Sequence, residues 1–86
     1  MKFSVIIPVY NRPQEIRELL ESLQNQSYSD FEVVIVEDGS YIKSEEIAAS
    51  FSPDLEVRYF YQENSGQGFA RNFGMKNASG DFFVIL

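Results

Sequence analysis

The chain has 86 residues, 44% of them hydrophobic and 23% charged, which is the balance of an ordinary globular chain making one small domain or part of a larger one. Seven Lys and Arg against 13 Asp and Glu give a net charge of −6, so the surface repels a phosphate backbone and nucleic acid is excluded as a default partner. With no histidine and no cysteine, there is no Ser-His-Asp triad, thiol nucleophile, disulfide or zinc cluster. Chemistry is left to carboxylates, backbone amides, hydroxyls, arginines or a metal held by oxygen. No apolar run approaches the roughly 20 residues of a membrane helix.

Phe3, Val5, Ile6, Ile7 and Val9 form a nearly continuous, mostly β-branched run, which suits a strand buried on both faces. Pro8 cannot donate to a ladder, so the strand should end at or near it. After Tyr10-Asn11-Arg12, Pro13 suits the first position of a helix. Ile16, Leu19, Leu20 and Leu23 then recur at i, i+3, i+4 and i+7, with Glu15, Arg17, Glu18 and Glu21 opposite. Residues 25–30 read as a polar turn. Phe31 to Val36 is a second buried strand running into Glu37-Asp38-Gly39-Ser40. Ser44 starts a short second helix with Ile47, Ala48 and Phe51 inside, and Pro53 closes it. Val57, Tyr59 and Tyr61 alternate with Arg58, Phe60 and Gln62 in a third strand. Ser65-Gly66-Gln67-Gly68 opens a third helix, whose inner face is Phe69, Ala70 and Phe73 and whose stop is Gly80. Residues 81–86 form a fourth strand.

The order β-α-β-α-β-α-β predicts an α/β fold of Rossmann-like type: three layers, with a mostly parallel sheet covered on both faces. The chain stops inside a hydrophobic strand. We read residues 1–86 as the first portion of a longer domain, the alternative being a small flavodoxin-like sheet with a terminal last strand. An apolar fourth strand left at an open edge is expected to drive homo-oligomer formation or aggregation of the isolated piece.

Ligands of open α/β sheets bind beyond the carboxyl ends of the strands, which gathers residues 8–12, 37–40 and 64–68. Asp38 can accept from a nucleobase imide or from ribose hydroxyls, or can cap its own turn at Gly39. Glu37 faces the other side of the strand, so the two are neither an acid–base couple nor a metal clamp. The Tyr10 ring can stack on a base or pack over the sheet edge, while Pro8 and Val9 contribute backbone. Arg12 and Arg71 are candidate diphosphate partners. Arg12 more simply pairs with neighbouring glutamates, and for Arg71 the two roles stay open. Gly66-Gln67-Gly68 invites comparison with a phosphate-cradling loop. It follows the third strand, however, with Arg71 where a dinucleotide fingerprint needs a small residue, and no Walker A pattern occurs.

Four blocks stand in order along the chain: SVIIPVYN at 4–11, LLESLQNQSYSDFEVVIVEDGS at 19–40, NSGQGFARNFG at 64–74 and ASGDFFVIL at 78–86. With these the sequence resembles family 2 glycosyltransferases, inverting enzymes of the A-type nucleotide-diphospho-sugar transferase fold. The resemblance implies that Pro8, Val9 and Tyr10, with Asn11 beside them, line a base pocket and that Asp38 hydrogen-bonds the base. It places Gly66 to Arg71 along the ribose and diphosphate. It implies a nucleotide-diphosphate sugar as donor, a sugar, lipid-linked or other hydroxyl as acceptor, and Mg²⁺ or Mn²⁺ on the departing diphosphate.

The family's acidic metal motif and general base are expected after Leu86. Residues 1–86 are therefore expected to carry no catalytic residue and no metal ligand, and to transfer no sugar alone. Ile42 stands where the family often has an acidic residue. The implied location is cytoplasmic, at the inner membrane face through regions beyond residue 86. Two other readings fit less well. A receiver-type signalling module needs an acidic pair after its first strand and a lysine after its last. A nucleotidyltransferase needs a glycine- and basic-rich loop where this chain has Pro8-Val9-Tyr10-Asn11.

Overall fold

The computed structural model describes residues 2–26, 30–52 and 54–86. Residues 27–29 of the expected polar turn and the helix-closing Pro53 lie outside the described residues. The elements follow the predicted order: β1 (Phe3–Val9), α1 (Pro13–Gln24), β2 (Phe31–Asp38), α2 (Glu45–Phe51), β3 (Val57–Gln62), α3 (Gln67–Asn77) and β4 (Phe82–Ile85). All strand pairs are parallel, in the spatial order β3-β2-β1-β4. Val5 lies opposite Val33 on one side and Val84 on the other, and Val33 lies opposite Val57.

Side-chain alternation along the central strands divides the core into two layers. Val5, Ile7 and Val9 of β1 and Val33 and Ile35 of β2 pack with Ile16, Leu20, Ala48 and Phe51 of α1 and α2. Ile6, Val34 and Val36 turn to the other face and pack with Ala70 of α3, flanked by Phe60 and Phe73. Fully burying such a side chain contributes about 1.5–3 kcal/mol relative to leaving it exposed, so β1 and β2 give the loops at their tips a firm base. Gly74 brings α3 down onto this layer; a Cβ there would sit 2.5 Å from Ile6 Cγ2.

Three local expectations are corrected. Phe69 is 68% exposed rather than inside, because the inward stripe of α3 runs Ala70, Phe73, Gly74, and Phe69 falls to one side of it. The helix ends at Asn77 with Ala78 as its cap. Gly80 serves a different contact: its N–H donates to Ser4 Oγ at 2.8 Å, and a Cβ would collide with that oxygen. Ser44 occupies the position before α2, but its hydroxyl makes no cap bond and goes to Glu37 instead. At the opposite edge, β4 pairs with β1, and Phe82 to Leu86 are 40–53% exposed.

Candidate functional site

The connections through α1 and α2 lie over one face of the sheet, and α3 lies over the other. Strand order therefore reverses between β1 and β4, and at such a reversal a crevice opens beyond the strand ends. A cleft of about 680 Å³ lies there. Its walls are Ile7 to Tyr10 from the tip of β1, Arg12, Glu15, Ile16 and Leu19 along α1, Asp38 from β2, Asn64, Gly66 and Gln67 ahead of α3, and Leu86.

Asp38 is 5% exposed and does not cap its own turn. Its Oδ1 accepts from Gln62 Nε2 at 3.0 Å and from the Ser65 N–H at 2.7 Å, and its Oδ2 accepts from the Gly66 N–H at 3.0 Å. Burial pushes its pKa up, but the Gln62 side chain and the Ser65 and Gly66 amides outweigh that and hold the carboxyl below its ordinary value. A carboxylate offers about four lone-pair sites, so one further donor can be accommodated. Gly39 makes the latch possible. Its φ is 73°, its N–H donates to Gln62 O at 2.8 Å, and a Cβ would lie 2.7 Å from Asn64 N. Only glycine lets the β2 tip and the loop ahead of α3 touch.

Of the residues expected at the site, Pro8, Val9, Tyr10, Asp38 and Gly66 line the cleft. Tyr10 is 43% exposed, with its ring available from solvent. Asn11 and Arg71 are not in the lining. Asn11 has a φ of 52° and turns its Oδ1 to the N–H groups of Tyr41, at 2.7 Å, and Ile42, at 3.1 Å. Arg71 is exposed on α3; it follows the buried Ala70, and one residue is about 100° around a helix. The cation in the cleft is Arg12, paired with Glu15 at 3.1 Å. Both side chains of that pair are 64% exposed, where such a pair contributes about 0–1 kcal/mol, so Arg12 is easily released to another anion.

Of the other polar lining residues, Glu15 was not singled out by the sequence, and Asn64 and Gln67 were reached only as members of a segment. Position alone gathers the loop that carries Asn64 and Gln67, while Glu15 reads as an ordinary solvated helix residue. Among the described residues, no group of three or more Asp, Glu, His or Cys side chains converges as a metal site. Asp38 already holds three loop donors and Glu15 is the only other carboxylate side chain among the described lining residues, so these residues do not by themselves fit a divalent cation. Among the described residues, no helix is long and apolar enough to cross a membrane.

Residues 4–86 match the family model for glycosyl transferase family 2, and the chain belongs to that family. An uncharacterised glycosyltransferase of Rickettsia typhi is 45% identical over 83 residues, covering 96% of this chain and 26% of that protein. The crystal structure of S. aureus TarS in complex with UDP superposes with a TM-score of 0.92 at 38% identity, over 100% of this chain and 27% of that one. A mannosyltransferase from Pyrobaculum calidifontis in complex with GDP-Man and Mn²⁺ gives a TM-score of 0.83 at 28% identity, over 92% of this chain and 25% of that one. The fold is thus that of part of an A-type glycosyltransferase domain, and the chain spans about a quarter of the length of these relatives.

Proposed function

We propose that this member of glycosyl transferase family 2 supplies the nucleotide pocket of an inverting glycosyltransferase, which moves a sugar from a nucleoside-diphosphate donor onto an acceptor hydroxyl. The observation that carries the reading is that Tyr10 and Asp38, from the tips of adjacent strands, line one cleft at the point where strand order reverses. Tyr10 stacks on the base, and the remaining lone pair of Asp38 accepts a base N–H. The β1-tip backbone at Pro8 and Val9 shapes the pocket floor. Gly66, Gln67 and Asn64 border the ribose, and Arg12 leaves Glu15 for the diphosphate. The UDP bound to S. aureus TarS and the GDP-Man bound to the Pyrobaculum enzyme support a nucleotide-sugar donor.

In the transfer, the acceptor oxygen bonds to the anomeric carbon as the bond to the diphosphate oxygen breaks, and the acceptor proton passes to a carboxylate. We assign that base, and the ligands of the Mg²⁺ or Mn²⁺ that neutralises the leaving diphosphate, to residues beyond Leu86. Residues 1–86 are then the nucleotide-binding portion of a single domain. The reading carries a cytoplasmic site of action, with any membrane attachment and the acceptor site supplied from outside this segment. Titration of the full-length protein with UDP, GDP and CDP, followed by amide shifts, tests it. Selective shifts at Tyr10, Asp38 and Gly66 are expected, and a folded protein that binds none of the three refutes the reading.

A further inference from the structure

On the face of β2 opposite Asp38, Glu37 is 0% exposed. A carboxylate so buried costs several kcal/mol unless its oxygens are satisfied. Here Oε1 accepts from the Ser44 N–H at 2.7 Å, the Ser44 hydroxyl at 2.8 Å and the Tyr59 hydroxyl at 2.9 Å. Oε2 accepts from the Ser40 hydroxyl at 2.5 Å. Ser40 spends its one hydroxyl proton on that bond, which leaves the Ser40 oxygen free to accept. That oxygen takes the Asn11 N–H at 2.7 Å, and Asn11 Oδ1 in turn holds the Tyr41 and Ile42 amides. The Asn11 N–H belongs to the rigid peptide plane that also contains the Tyr10 carbonyl and Cα. A bond to it therefore fixes where Tyr10 stands.

We propose that Glu37 is a positioning residue for the base pocket, acting through Ser40 and Asn11 on the peptide that carries Tyr10. The inference rests on the nucleotide reading of the cleft. Two consecutive residues at one strand tip then set both walls of the pocket. Asp38 latches the loop ahead of α3 from one face, and Glu37 latches the peptide between Tyr10 and Asn11 and residues 40–44 from the other.

The test compares two matched deletions in the full-length protein. Ser40→Ala removes the bridge and leaves the three bonds to Glu37 Oε1. Ser4→Ala removes a similar buried bond, Ser4 Oγ to Glu32 Oε2 at 2.6 Å, at the far end of the same strands. Ser40→Ala is expected to weaken UDP binding at least fivefold and to speed amide exchange at Asn11 and Tyr41 at least tenfold. Ser4→Ala is expected to leave both within twofold of wild type. Equal weakening by the two variants overturns the proposal, since loss of stability would then explain it, and so does unchanged exchange in Ser40→Ala. If Ser40→Ala does not fold, Glu37→Gln keeps one acceptor oxygen for Ser44 and Tyr59 and sets an NH₂ donor against the Ser40 hydroxyl, which breaks the relay at its first bond. It is expected to weaken UDP at least threefold, and wild-type affinity overturns the proposal. A wild-type protein that binds no nucleotide defeats the pocket reading separately, while the exchange comparison still decides the relay.

Discussion

Asp38→Asn separates a loop latch from a ligand contact. The substitution keeps the shape of the side chain and leaves one acceptor oxygen. Placed at Oδ1, that oxygen retains the bonds from Gln62 and Ser65. The new NH₂ then faces the Gly66 N–H across 3.0 Å, donor against donor. Losing one buried hydrogen bond to a charged group costs about 1.5–3 kcal/mol, and the site is dry enough, at 5% exposure, for that range to apply. Stability by urea unfolding should fall by about 2 kcal/mol. The lone pair proposed for the base N–H lies on Oδ2, the position the NH₂ takes, so that contact is lost as well. At 1.4 kcal/mol per factor of ten, UDP affinity by calorimetry should drop about 10- to 100-fold. A variant that loses the stability yet binds UDP within twofold of wild type would show that Asp38 only holds the loop, and the base contact would be wrong.

Tyr10→Ala should weaken UDP by about 1–3 kcal/mol, the range for stacking a base on an aromatic ring. Because Tyr10 is 43% exposed, its unfolding midpoint should barely move. Gly39→Ala combines left-handed strain, about 1–2 kcal/mol, with a Cβ placed against the Asn64 backbone. It should lower the melting temperature and shift the amides of residues 64–66, and shifts confined to residues 38–41 would contradict the packing described. Folding also depresses the carboxyls of Asp38 and Glu32 below their ordinary values of 3.8 and 4.5. The unfolded chain then binds more protons in that range, so their stabilisation is complete above about pH 5 and is lost as pH falls through the folded values. Urea midpoints should fall steadily from about pH 5 to pH 3, and less steeply in Asp38→Asn.

The sheet was legible because β1 and β2 carry continuous β-branched runs, and α1 carries a clean i, i+3, i+4, i+7 stripe ahead of which Pro13 marks the start. The tips of the strands were legible by position, which singled out Tyr10, Asp38 and Gly66. What escaped was side-chain direction within the loops. Asn11 reads as a pocket residue until its left-handed backbone turns the carboxamide to residues 41 and 42. Asp38-Gly39 left a self-capped turn open as an alternative, yet the carboxylate reaches 27 and 28 residues along the chain to Ser65 and Gly66. Phe69 reads as core by its hydrophobicity, but a shift of one residue on a helix is enough to face solvent. Gly80 reads as a helix stop when its small size is needed against Ser4. Apart from Phe69, each of these is a long-range contact that no local pattern encodes.

The most direct measurement is a crystal structure of the full-length protein with UDP. The uracil ring should lie against Tyr10, with its imide nitrogen about 3 Å from an Asp38 oxygen. A base seated elsewhere, touching neither residue, would contradict the account.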